Sequence, residues 1–268
     1  MPPSLRRRFK SLLGGPTRRL AELGTLTCGH SSTAGIAKIA LKQLSSSVED
    51  FAKQSLSYYS NPTSKDALRF SSFCSRAMLE NAYAAILGRL DTFRLLYLSE
   101  FQAQNEYDHS RRANSSFSWL GDVIPEEKPT GEMWNMEQNA LKVSRALLSR
   151  HTEHVYWRPA VAKMLDFLST QATDVLLSDV KATAPETFIP EIRGRSLRLY
   201  STLSKGVHWE FFTSVMPIDS DAVLNNIRET IELVSDLGLA SHFIPTAYAS
   251  LTPADALAAY LSVRRSIQ

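Results

Sequence analysis

Apolar residues along this chain recur at intervals of three and four, and almost never at two. That spacing is the signature of amphipathic helices rather than half-buried strands. Residues 33–58 form a first predicted helix through Ile36, Ile39, Leu44, Val48 and Phe51. The spacing predicts a longer one over 64–105, with Leu79, Tyr83, Ile86, Leu90, Phe93 and Tyr97 on one stripe, the seam of a helix packed lengthwise in a bundle. Between 108 and 131 the periodicity breaks into Ser, Asn, Gly and Pro, so a long loop is predicted, plugged by Phe117 and Trp119. A fourth segment, 132–157, carries Met136, Ala140, Val143, Leu147 and His151 on one stripe. Pro159 ends it and opens the next helix, through Val161, Leu165, Leu168, Ala172 and Val175.

After a loop near 180–190 holding Pro185 and Pro190, a helix is predicted over 191–214. Asp219 or Ser220 caps another, carrying Val223, Ile227, Ile231 and Val234 and stopped at Gly238. Thr252-Pro-Ala-Asp255 joins an N-cap, a first-position proline and an acid three residues on, and opens a last helix ending at Arg264-Arg265. Neither hairpin signals nor a fixed-period repeat appear. The fold expected is all-α, a bundle of about seven or eight helices with no sheet.

Composition adds one asymmetry. The 268 residues are 44% apolar and 21% charged, the balance of a globular chain. Six of the 30 basic residues lie within 1–21 and no acid does, which leaves 24 bases against all 27 acids in the remainder. Residues 1–30 are therefore expected to be a flexible basic tail, with 31–268 a single, mildly acidic helical domain. An organelle transit peptide is the alternative for the tail. Arg6-Arg7-Arg8-Phe9-Lys10 resembles a twin-arginine signal, but Pro16, Arg18, Arg19 and Glu22 interrupt any apolar region behind it. An acidic body disfavours duplex DNA. No run reaches the ~20 apolar residues of a membrane span. Cys28 and Cys74 lack metal-type spacing, which favours a reduced, cytoplasmic protein over a bridged one, with Cys74 a core thiol.

The richest candidate chemistry lies at 198–212. Tyr200, Leu203, Val207 and Phe211 share an apolar stripe, and Ser201, Ser204 and His208 form a polar ridge beside it at spacings of three and four. An imidazole at the edge of a core is a candidate functional group. Arg76 and Glu80, four apart in an apolar helix, either pair locally or face His208 across the core. Gly88-Arg89-Leu-Asp91-Thr-Phe-Arg94 adds charge that reads as a structural salt-bridge network. His151 with His154, and Glu106-x-x-His109, carry metal-ligand spacing, but the second Glu-x-x-His of a di-iron bundle is missing. The sequence offers no phosphate loop, nucleophile elbow or Cys/His cluster, so no cofactor or metal is assigned.

Tyr200, Leu203, Ser204, Val207 and His208 fit a pattern, Tyr-x-x-Leu-Ser-x-x-Val-His, that resembles one in bacterial helical proteins related to the HEPN superfamily. The resemblance covers one helix. It implies a helical bundle, often dimeric, found in phage-defence and toxin–antitoxin systems and sometimes carrying metal-independent RNase activity. HEPN RNases carry an Arg, then four to six intervening residues, then the His. Here those positions are Ser201, Thr202 and Leu203, while Arg195 and Arg198 lie further upstream. Arg145 and His151 match the spacing but fall ~120° apart on a helix. A non-catalytic HEPN-like protein acting through a protein partner or as a homodimer is the reading this favours. The alternatives are a divergent RNase, with RNA as partner, built from His208 with Arg195, Arg198, Ser204, Arg76 or Glu80, and a metal-binding bundle.

Overall fold

A computed structural model describes residues 16–30, 35–108, 110, 117–125, 145–171, 174–207 and 219–268. Among the described residues, eight long helices are present: α1 (Pro16–Cys28), α2 (Lys38–Ser60), α3 (Lys65–Leu90), α4 (Thr92–Gln102), α5 (Arg158–Gln171), α6 (Phe188–Val207), α7 (Ser220–Ser241) and α8 (Pro253–Arg265). Short helical turns at Arg150–Thr152 and Ser178–Lys181 join them, and no strand occurs among the described residues beyond one isolated bridge, Leu120–Ile124. The architecture is the all-α bundle that the periodicity predicts.

The C-terminal halves of α3 and α7 form its axis. From Leu233 to Ser241 every residue of α7 is buried, so this stretch is enclosed on all sides rather than amphipathic. α1, α2, α6 and α8 surround the pair. Sequence signals set several boundaries directly. The Ser64 and Asp219 side chains cap α3 and α7, and Thr252 Oγ1 accepts from Asp255 N at 3.2 Å to open α8. Pro159 is the second residue of α5, and a wide π-type turn over Glu153–Trp157 leads into it.

Four expectations require correction. The basic tail does not extend to residue 30, because α1 begins at Pro16 and buries Leu23, Leu26 and Cys28 completely. Gly24 is a packing glycine: a Cβ there would stand 2.6 Å from Ser45 Oγ and from Glu49 Oε1 on α2. Residues 1–15 lie outside the described residues. The helix expected over 64–105 breaks at Asp91 (φ −127°, ψ 73°), whose carboxylate caps α4, so that Phe93 and Tyr97 turn to solvent while Leu79, Tyr83 and Ile86 stay in the core. Ile39 of α2 is exposed; Leu41, Val48 and Ala52 are buried instead. Gly238 does not stop α7, which runs to Ser241; it lets Leu26 of α1 approach, whose Cγ would lie 3.0 Å from an added Cβ.

The charge expected around Gly88–Arg94 divides in two. Arg94 joins Asp91 at 3.3 Å and also Asp122, which ties α4 to the turn at 117–124. Arg89 has no carboxylate partner among the described residues and is 1% exposed. Its guanidinium donates to Tyr248 O (2.9 Å), Thr27 O (3.3 Å), Ser241 Oγ (2.7 Å), Ser250 Oγ (3.0 Å) and His242 Nδ1 (3.1 Å). α1, α3 and α7 all end here, so three negative helix termini face one buried cation. Burial lowers the Arg89 pKa to about 10, which leaves it charged at neutral pH. His242 Nε2 donates to Leu26 O at 2.8 Å while its Nδ1 accepts from Arg89 and Leu251 N, so the ring is neutral.

Candidate functional site

Arg76 and Glu80 sit one turn apart on α3 and pair locally, Arg76 Nε to Glu80 Oε1 at 3.0 Å. Arg76 also donates to the Tyr200 hydroxyl of α6 at 2.7 Å, and its guanidinium lies 4.6 Å above the centre of that ring. Behind Tyr200 the aromatic rings form a column. Trp119 stacks on Tyr200 at 4.2 Å with planes 6° apart, and Tyr83 stacks on Trp119 at 5.6 Å and 13°. The Tyr83 hydroxyl closes the column against Ser196 Oγ at 2.7 Å. Burial pulls the Arg76 guanidinium down, but the hydrogen bond and charge of Glu80 outweigh it and hold its pKa above the ordinary value. Burial raises Tyr200, and Glu80 adds to that. Tyr83, wholly enclosed, is raised further. None of these hydroxyls is poised to ionise near neutral pH.

The other residues read as site candidates do not converge here. His208 lies outside the described residues. Ser204 is half-buried, and Arg198 is exposed. Arg195 faces α7, within 3.5 Å of both Glu229 and Glu232 and 3.7 Å of Asp236. The reason is helical geometry: Tyr200 is five positions on from Arg195, which sets them ~140° apart around α6. Arg195 therefore does not join the Arg76–Glu80 pair.

Arg195 belongs to a charged seam between α6, α7 and α8. Arg264 lies 3.6 Å from Glu232 and 3.9 Å from Asp236, and Tyr260 donates to Asp236 at 3.0 Å. Burial wins over the two guanidiniums and raises Asp236 to about 6. An acid whose folded pKa exceeds its unfolded value stabilises the fold below the unfolded value and loses that contribution as pH rises through the folded one. Asp236→Asn removes this dependence. The stability of the variant relative to wild type should increase between pH 4 and 7, by on the order of 2–3 kcal/mol, measured by urea denaturation across that range.

Two features of this region escape the sequence reading. The first is a cavity of about 560 Å³ bounded by α2, α3, α4, the 117–123 turn and Tyr200. The second is the outer face of α4. Phe93 (78% exposed), Tyr97 (58%) and Phe101 (38%) form a ladder with ring centres 6.4 and 6.3 Å apart, and Tyr107 meets Phe101 edge-on at 5.7 Å. The only sequence signal for the ladder is its spacing of four, which in a buried helix means core. Among the described residues, no group of three or more His, Cys, Asp and Glu side chains is placed to hold a metal, and no helix is long and apolar enough to cross a membrane. No protein-family model, curated protein or solved structure matches the chain.

Proposed function

We propose that this chain is a non-catalytic, HEPN-like helical protein that acts by docking a protein partner on the aromatic face of α4. The observation that carries this reading is the exposed Phe93–Tyr97–Phe101 ladder. Single exposed apolar residues are ordinary on a folded surface, whereas contiguous aromatic rings on one helix mark interaction sites. Charge selects the partner. From Leu95 to Ser110 the chain has no Lys or Arg but carries Glu100, Glu106 and Asp108, and Glu100 and Glu106 are exposed. A second copy would set acid against acid, and nucleic acid would be repelled. An apolar segment flanked by Lys or Arg is the complement. The non-catalytic part of the reading is supported by Arg76 and Arg195, both already paired with carboxylates. The sequence resemblance of 200–208 suggests a bacterial defence or stress setting, in the cytoplasm.

Phe93→Ser/Tyr97→Ser/Phe101→Ser should leave the helical circular dichroism unchanged and the melting temperature within a few degrees, because these side chains lie at the surface and outside the buried core. Sedimentation velocity should show a monomer for wild type and variant alike. A wild-type dimer that the triple variant dissolves would replace the heterologous partner with a second copy and overturn the proposal.

A further inference from the structure

The cavity beneath α4 lies opposite the docking face and is independent of it. At about 560 Å³ it falls in the range of small-molecule sites, roughly 300–1,000 Å³. Its polar lining is mostly neutral: the carboxamides of Gln43, Asn81 and Gln102, the hydroxyls of Ser47 and Ser99, and the single carboxylate of Glu80. Glu80 is already neutralised by Arg76 from outside the cavity. No Lys, Arg or His is among the described lining residues. Asn81 Nδ2 donates to Ser47 Oγ at 2.9 Å, which fixes the amide across the α2–α3 seam. Leu44, Ala84, Leu95 and Leu98 supply apolar surface between these groups.

Trp119 provides a second, separate indication of a ligand. Its indole Nε1–H is buried with no hydrogen-bond partner among the described residues, although the ring lines the cavity. A buried donor without an acceptor costs about 1–3 kcal/mol. Both faces of the indole are covered, by Tyr83 and Tyr200, so the site offers no Trp119 stacking surface.

We infer that this cavity binds an uncharged, polyhydroxylated ring, whether a free sugar or the ribose of a nucleoside. Vicinal hydroxyls both donate and accept, as carboxamides and serines require, and one hydroxyl can accept the Trp119 N–H. Ring carbons match the leucine surface. Among the described lining residues, phosphate-bearing ligands find no cation to neutralise them.

The test is an NMR titration of the Trp119 indole N–H, assigned by its disappearance in Trp119→Phe, with D-glucose, D-ribose, adenosine and adenosine monophosphate as probes. At least one neutral probe should shift this resonance saturably. Response to the sugars assigns the site to a free saccharide, and response to adenosine alone assigns it to a nucleoside. Trp119→Phe and Asn81→Leu, which alter different walls, should each weaken binding about tenfold by ligand-induced thermal shift, the loss of roughly one hydrogen bond. No saturable shift with any neutral probe, or tighter binding of the monophosphate than of adenosine, overturns the inference. Neither outcome bears on the α4 docking face.

Discussion

Replacing Arg89 with methionine should lower stability by about 3–5 kcal/mol. The substitution leaves Thr27 O, Tyr248 O, Ser241 Oγ, Ser250 Oγ and His242 Nδ1 without their shared donor, and Thr27, Ser241 and His242 are buried away from water. It also removes a buried charge that compensates three converging helix C-termini. Thermal melting should fall by about 10 °C or more, and urea denaturation should show the loss in midpoint rather than slope. Arg89→Lys keeps the charge but not the planar fork, so it should recover only part of the loss. The same cluster has a pH signature. Burial, then the charge of Arg89, holds the His242 pKa well below its usual value. A base depressed in the fold contributes stability above its unfolded pKa, about 6.5, and loses it as pH falls from there toward the folded value.

Trp157→Ala should cost about 3–5 kcal/mol through a different mechanism, cavity formation. Trp157 is fully enclosed where the Glu153–Trp157 turn meets α5, and its Nε1 donates to Leu147 O at 2.9 Å. Phenylalanine at this position fills most of the volume but orphans Leu147 O, so Trp157→Phe should cost about 1–3 kcal/mol. Differential scanning calorimetry of the two variants separates the terms. Equal losses would mean that the hydrogen bond dominates and the surrounding helices collapse into the space.

These two sites show what the sequence discloses and what it hides. Thr252-Pro-Ala-Asp255 is legible because a helix N-cap is settled by three adjacent residues. Arg76–Glu80 is legible for the same reason, as a pair one turn apart. Gly238 reads as a helix stop because a stop and a close-packing glycine look identical along the chain; Leu26, brought in by the fold, distinguishes them. Asp91 hides its break because the apolar spacing runs straight through it into α4. Arg89 reads as part of a salt-bridge network because an arginine in an apolar run suggests an acid, whereas its actual partners are carbonyls, hydroxyls and an imidazole 62 to 161 residues away. The Tyr200 column is invisible for the same reason, since Arg76 and Tyr200 are 124 residues apart and Trp119 arrives from a separate turn. Local rules reach local features, and the candidate site is assembled from distant ones.

The central claim, that the outer face of α4 receives a basic protein segment, is tested most directly by photocrosslinking from position 97 in cells. Tyr97 is replaced by a photoreactive phenylalanine analogue, with position 198, an exposed site on α6, as control. Mass spectrometry should locate crosslinks from 97 to a segment that joins apolar residues with Lys or Arg, and the control should not give them. A synthetic peptide of that segment should bind the purified protein, weaken with salt, and lose its affinity to Phe93→Ser/Tyr97→Ser/Phe101→Ser. Crosslinks from 97 to nucleic acid or to a second copy of the chain, or a peptide whose binding is unchanged in the triple variant, would contradict the account.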